Sequence, residues 1–84
     1  MNEKTKIAVV GLGYVGLPLA VHFGEKFDTV GLDLKQSIID NCKKHEDPTG
    51  EVSQEEFERA TRFTPTSDPA MIADADYIVV AVPT

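Results

Sequence analysis

The stretch Lys6–Ala20, KIAVVGLGYVGLPLA, decides the fold of this chain. It begins with an uninterrupted apolar run, Ile7–Val10, which is typical of a strand covered on both faces in a parallel sheet. Gly11, Gly13 and Gly16 follow this run closely. Because glycine loses more backbone freedom on folding than any other residue, the three glycines indicate that something here requires a bare main chain.

The rest of the chain alternates between helical and strand-like patterns. Val15, Leu19 and Phe23 recur at helical spacing, which predicts a helix over residues 14–25. The further predicted elements are a strand over 29–33, a helix over 35–44, a helix over 53–60 that opens on a capping box, a strand at 62–64, a short helix over 68–73 and a strand over 77–82. This order predicts an α/β fold, a Rossmann-like parallel sheet with flanking helices that is truncated to its first half. The apolar run 77–82 is expected to form a central strand beside the first one.

The three glycines have the spacing GxGxxG and lie between a predicted strand and a predicted helix, which is the context this motif requires. The first glycine permits a tight turn, the second lets a pyrophosphate approach the main chain, and the third lets the helix pack closely on the strand. Unpaired N–H groups of Tyr14, Val15 and Gly16 would face the anion. The alternative interpretation is that the glycines serve only a tight strand–helix turn.

An acidic residue, Asp33, ends the predicted second strand. A carboxylate at this place accepts hydrogen bonds from the adenosine ribose and repels a 2′-phosphate, which predicts NAD rather than NADP as the cofactor. Lys35, close behind it, slightly weakens the exclusion of NADP. Strand, glycine motif, helix, strand and acid together predict a dinucleotide-binding segment.

Composition and charge narrow the range of partners. The chain has 84 residues, enough for one small domain, and its net charge of −6 argues against nucleic acid and anionic membrane surfaces as partners. Its single cysteine, Cys42, excludes an intrachain disulfide and fits a reducing compartment. No apolar run approaches the length of about 20 residues that a membrane helix needs. We therefore expect a cytoplasmic protein.

Three further candidates for catalysis or metal binding have structural interpretations, namely Cys42, His22 and the run His45–Asp47. Cys42 lies on the apolar side of a predicted helix and is expected to pack in the core. His22 is expected to have a surface or packing role. The run His45–Asp47 is expected to be a solvated loop, because consecutive side chains point in different directions and cannot share a metal ion. The residues thus predict no metal site and no catalytic residue within this chain.

Four stretches, KIAVVGLGYVGLPLA, TVGLDL, TGEVS and ADYIVVAVPT, together resemble the N-terminal segment of the nucleotide-sugar 6-dehydrogenases. The stretch HEDPTGEVSQEE resembles the branch that acts on UDP-N-acetylhexosamines, which supplies uronic acids for capsule and O-antigen, more than the UDP-glucose branch. The resemblance implies oxidation of the sugar C6 alcohol to a carboxylate in two steps that reduce two NAD. It also implies that the 45–52 loop borders the cofactor or a subunit contact.

The resemblance also assigns site residues. It implies that the cofactor is bound by Gly11, Gly13, Tyr14, Val15 and Gly16 at the pyrophosphate, Asp33 at the ribose and Thr84 near the nicotinamide. One position departs from the family: Ile38 stands where relatives often carry an arginine or lysine that helps hold the adenosine, so that NAD binds more weakly or Lys35 substitutes.

The family's catalytic residues and sugar-binding domain come far downstream of these positions. Residues 1–84 are therefore expected to be the N-terminal part of a dinucleotide-binding domain, inactive alone, taken from an enzyme that is a homo-oligomer and binds a UDP-sugar. The alternatives are a segment of a UDP-glucose 6-dehydrogenase, a 3-hydroxyacid or 6-phosphogluconate type of dehydrogenase, or a non-enzymatic NAD-sensing module.

Overall fold

The structure, a computed structural model, describes residues 4–81 and contains one four-stranded sheet within them. In chain order its elements are β1 (Lys6–Val10), α1 (Gly16–Phe23), β2 (Asp28–Leu32), α2 (Gln36–Lys43), α3 (Gln54–Arg59), β3 (Phe63–Thr66), a 3₁₀ turn (Pro69–Ile72) and β4 (Tyr77–Val80). The strands lie in the order β3-β2-β1-β4, and each neighbouring pair is parallel. The predicted α/β architecture is confirmed.

The core lies on one face of the sheet. Ile7 and Val9 of β1 point to this face and are almost completely buried. The helices cover them with side chains at helical spacing, namely Leu17, Ala20 and Val21 of α1, Ile39 and Cys42 of α2, and Phe57 of α3. Burial of each large aliphatic side chain contributes about 1.5–3 kcal/mol, so this layer is a substantial source of stability. Cys42 is one of its packed members, as the sequence predicted.

The prediction that the last strand is central is wrong for the described part of the chain. β4 pairs with β1, as expected, but within residues 4–81 it forms an edge of the sheet. Ile78 and Val80, whose register partners Ala8 and Val10 lie on the face away from the core, are 54% and 63% exposed. A run of apolar residues shows that a strand can be buried on both faces, but it does not show what covers those faces. Within residues 4–81, no helix covers Ile78 and Val80.

Three predicted boundaries also shift. α1 begins at Gly16 rather than at residue 14, because residues 14 and 15 form a turn and Val15 provides no side-chain cap. β3 occupies Phe63–Thr66 and contains Pro65, which an edge strand tolerates because one side of it needs no ladder hydrogen bond. The short helix expected over 68–73 is a single 3₁₀ turn, capped by Asp68.

Candidate functional site

The candidate site lies at the carboxyl ends of β1 and β2, where residues 11–15, hereafter the glycine loop, join β1 to α1. Gly11 has a φ of 97°, a backbone conformation that side chains with a Cβ rarely adopt. Its N–H donates to the carbonyl oxygen of Leu32 over 2.8 Å, which continues the β1–β2 ladder into the loop. The loop therefore leaves the sheet through a turn that requires glycine.

Gly16 brings the start of α1 against that turn. A Cβ at this position would overlap the carbonyl oxygen of Gly11 and would lie 3.2 Å from the Cβ of Ala81, beyond the end of β4. The third glycine of the motif therefore permits the close approach of helix and strand end that its spacing predicts.

Gly13 differs from the other two glycines. A Cβ built on it would meet no atom within 4 Å, and its φ lies outside the left-handed region. The residue is also exposed. Neither backbone strain nor packing among residues 4–81 therefore explains a glycine here, and the open space beside it would admit an approaching ligand.

The loop presents a row of unused donors. Among residues 4–81, no acceptor is hydrogen-bonded to the backbone N–H groups of Gly13, Tyr14, Val15 or Gly16. The first bond of the helix runs from Leu17 N–H to the carbonyl oxygen of Gly13 over 3.1 Å. The first turn of α1 contains no acidic side chain, so the partial positive charge of the helix terminus is not neutralised there. This end of α1 is suited to bind an anion such as a phosphate.

Tyr14 and Val15 project from the loop into solvent. Their exposures are 69% and 71%, which is high for an aromatic and a branched apolar side chain. They flank the free N–H groups, so that a bound anion would have apolar neighbours. The structure does not bury Tyr14 as a packing residue of the helix start.

Asp33 follows β2 directly and lies beside the glycine loop. One carboxylate oxygen accepts the N–H of Leu12 over 2.9 Å, and the other accepts the N–H of Lys35 over 2.9 Å. A carboxylate has about four acceptor positions, so these two bonds leave room for ribose hydroxyls. The bond from Leu12 was not anticipated from the sequence, since its partners are separated by 21 residues.

A cavity of about 140 Å³ opens next to Gly13. Its walls come from the loop, from Ile38 and Cys42 of α2, and from residues 46–49. Burial, followed by the charges of Asp47 and Asp33, raises the pKa of the Cys42 thiol to about 11. The thiol therefore stays protonated near neutral pH and lacks the thiolate that a nucleophile needs.

The remaining sequence candidates lie away from the glycine loop or outside the described residues. His22 is exposed, with its ring nitrogens 3.6 Å from Glu25 and 3.9 Å from Glu56. Within residues 4–81, no group of three or more His, Cys, Asp or Glu side chains is placed to hold a metal ion, and no helix is long and apolar enough to cross a membrane. Thr84 lies outside the described residues.

Comparison with known proteins assigns the family. A family model for the NAD-binding domain of the UDP-glucose/GDP-mannose dehydrogenases matches residues 5–84. The protein CapL of Staphylococcus aureus is 46% identical over 84 residues, which are 100% of this chain and 19% of CapL. The UDP-N-acetyl-D-glucosamine 6-dehydrogenase of Pseudomonas aeruginosa is 43% identical over 82 residues, which are 98% of this chain and 19% of that protein.

Solved structures agree with this assignment. The UDP-N-acetyl-mannosamine dehydrogenase Cap5O from S. aureus superimposes with a TM-score of 0.79 at 31% identity, over 95% of this chain and 20% of that one. This chain thus spans about a fifth of the length of the relatives that it matches. Because the match covers nearly the whole chain and includes the glycine loop and Asp33, this chain belongs to the UDP-glucose/GDP-mannose dehydrogenase family and matches its NAD-binding domain.

Proposed function

We propose that this chain holds NAD for a nucleotide-sugar 6-dehydrogenase that oxidises the C6 alcohol of a UDP-N-acetylhexosamine to a uronate. The observation that carries the proposal is Gly13: nothing among residues 4–81 packs against its bare backbone, and its N–H is the first of four consecutive free N–H groups. A dinucleotide pyrophosphate is an anion of the right size and charge to use both features.

The residues present fit this cofactor. The N–H groups of Gly13, Tyr14 and Val15 would bind the pyrophosphate, and the empty space over Gly13 would admit it without steric conflict. Gly11 and Gly16 shape the turn that presents these groups. When bound, NAD supplies a hydride acceptor, and the part of this chain is to bind and orient it. Thr84 is proposed to lie near the nicotinamide, as the family resemblance implies.

Asp33 supports NAD over NADP. Its carboxylate is fixed at the end of β2 by two backbone N–H groups, so it would meet the adenosine ribose from a defined direction. A 2′-phosphate placed there would experience the repulsion of a fixed negative charge. The half-buried side chain of Ile38 cannot provide a compensating cation, and the exposed Lys35 is the nearest in sequence.

The substrate branch is proposed from the loop between α2 and α3 and from the relatives. The stretch HEDPTGEVSQEE resembles the UDP-N-acetylhexosamine branch, and the P. aeruginosa relative is named as a UDP-N-acetyl-D-glucosamine 6-dehydrogenase. We propose that residues 1–84 form the first part of the dinucleotide-binding domain and that further segments of the complete enzyme supply the nucleophile and the sugar site. We further propose that the complete enzyme is a cytoplasmic homo-oligomer that acts in surface polysaccharide synthesis.

The test uses the complete polypeptide that carries this chain. Calorimetry should show that NAD binds with higher affinity than NADP, and the purified protein should reduce two NAD for each UDP-N-acetylhexosamine converted to a uronate. UDP-GlcNAc, UDP-GalNAc, UDP-ManNAc and UDP-glucose are compared as substrates. Turnover of UDP-glucose alone would reject the proposed branch, and NAD binding without any turnover would favour a sensing module.

A further inference from the structure

We propose that Asp33 is a positioning residue for the glycine loop, holding it in its binding shape before the cofactor arrives. The expected effect on NAD binding rests on the proposed function, but the hydrogen bond from Leu12 to Asp33, called the tie below, is present without any ligand. It adds a second task to a carboxylate whose expected role is to bind the ribose.

The tie joins two segments that are distant in sequence. Oδ2 of Asp33 accepts the N–H of Leu12 over 2.9 Å, while Oδ1 accepts the N–H of Lys35, also over 2.9 Å. Both bonds are directed to an ionised acceptor, and such bonds are roughly twice as strong as those between neutral groups. The carboxylate therefore connects the end of β2, the start of α2 and the glycine loop.

Leu12 is a suitable point at which to fix the loop. It stands between Gly11 and Gly13, so its main chain leads directly into the four free N–H groups that begin at Gly13. Its side chain is 2% exposed, and its Cδ atoms lie 2.9 and 3.0 Å from the place that a Cβ on Gly31 would occupy. Leu12 is thus held through its side chain by packing on β2 and through its main chain by Asp33.

The neighbouring bond cannot replace this tie. Gly11 N–H donates to the carbonyl oxygen of Leu32 and fixes the exit of β1, but among residues 4–81 the loop makes no further bond to the sheet between Leu12 and the start of α1. Without the carboxylate, the main chain of the loop would be less restrained beyond Gly11, since glycine offers little resistance to backbone rotation. Cofactor binding would then include the entropic cost of ordering the loop.

The chain contains a matched control. Asp47 makes the same pair of contacts, with one carboxylate oxygen accepting the N–H of Thr49, two residues on, and the other accepting the N–H of Val52. Both Asp47 bonds measure 2.9 Å, as do those of Asp33. Asp33→Ser and Asp47→Ser therefore alter equivalent pairs of backbone hydrogen bonds, although Asp47 also accepts the Thr49 hydroxyl over 2.7 Å. Of the two carboxylates, only Asp33 is hydrogen-bonded to the glycine loop.

Hydrogen exchange on the complete polypeptide, purified without NAD, tests the tie directly. In D33S the Leu12 N–H should exchange about ten- to a hundredfold faster than in the wild type, as expected for loss of a hydrogen bond to a charged group. The Lys35 N–H should change less, because a serine hydroxyl still accepts a bond two residues on but cannot reach Leu12. D47S should accelerate Val52 and leave Leu12 unaffected. An unchanged Leu12 rate in D33S would overturn the proposal.

A second readout separates positioning from general stability. Saturating NAD should slow Leu12 exchange far more in D33S than in the wild type, because the cofactor must then order a loop that Asp33 no longer holds. Equal slowing in both proteins would reject the positioning role. If the wild type bound no NAD, the proposed function would fail while the measurement without cofactor still decided the tie. Should D33S not fold, the near-isosteric D33N replaces it. Its single oxygen can accept only one of the two N–H groups, because the amide nitrogen is a donor, so unchanged exchange at both Leu12 and Lys35 would overturn the inference.

Discussion

The glycine loop and residues 44–53, hereafter the Asp47 loop, are each fixed by an aspartate that accepts two backbone N–H groups. Only one of these N–H groups lies in the glycine loop, whereas both lie in the Asp47 loop, and the two loops differ in the donors that they leave free. In the Asp47 loop, five consecutive N–H groups, from Thr49 to Ser53, all have acceptors within the loop or at the start of α3. By contrast, four consecutive N–H groups, from Gly13 in the glycine loop to Gly16 at the start of α1, have no acceptor among residues 4–81. A loop whose N–H groups are hydrogen-bonded within the protein contributes to stability, whereas a rigid loop with free N–H groups can donate them to a ligand.

The largest effect is expected where the glycine loop meets α1. Gly16→Ala would place a Cβ on the carbonyl oxygen of Gly11, so either the turn or the helix start must move. Overpacking of this kind costs about 3 kcal/mol or more when the obstacle is backbone rather than a flexible side chain. Denaturant unfolding of the complete polypeptide measures it. Unchanged stability would show that the loop shifts freely and is not the rigid scaffold described above.

Opening the Asp47 loop should have the next largest effect. Asp47→Ser removes the acceptor of the Val52 N–H and weakens the bond from Thr49, which leaves a half-buried donor without a partner. We expect a loss of about 2 kcal/mol in the free energy of unfolding, with little change in NAD affinity measured by calorimetry. If NAD affinity fell as strongly as stability, the Asp47 loop would belong to the binding site and the contrast between the loops would be wrong.

Gly13→Ala tests the comparison in the glycine loop, where we expect a change in NAD affinity rather than in stability. The new Cβ meets no atom of residues 4–81 within 4 Å, so the free energy of unfolding should stay within about 0.5 kcal/mol of the wild type. NAD affinity should fall at least tenfold, about 1.4 kcal/mol, because the methyl group occupies the approach to the main chain. Gly16→Ala serves as the control, because we expect it to act by lowering the free energy of unfolding. Normal NAD binding by G13A would remove the main support for the proposed function.

These loops also show what the sequence can predict. The GxGxxG spacing, Asp33 at the end of β2 and the Ser53–Glu56 capping box are short-range patterns, and the structure has each where the pattern places it. The bond from Leu12 to Asp33 joins positions 21 residues apart and depends on the β1–β2 register, which no local pattern encodes. The edge position of β4 within residues 4–81 depends likewise on which strands pair with it, and the apolar run 77–82 does not encode this. The start of α1 was misplaced because no side chain marks it and the turn at Gly11 sets it instead.

The smallest effect concerns the capping box that ends the Asp47 loop. The Ser53 N–H donates to Glu56 over 3.0 Å, and this backbone hydrogen bond is the main reason why the pKa of Glu56 lies below its usual value of 4.5. A carboxyl group whose pKa is lowered by folding stabilises the protein above its unfolded pKa, and this contribution is lost as the pH falls through the folded value. Glu56→Gln should therefore lower stability slightly near pH 7 and have less effect in more acidic solution.

Glu55→Gln is the matched control for this change, since Glu55 lies in the same first turn of α3 and is exposed. It shares the helix terminus with Glu56 but not the bond from Ser53, so its effect should be smaller and should depend less on pH. Thermal unfolding between pH 3 and 7 compares both variants with the wild type. Equal pH dependence of the two variants would assign the stabilisation to the interaction of acidic side chains with the helix terminus alone. The hydrogen bond from the Ser53 N–H would then gain nothing from the negative charge of Glu56.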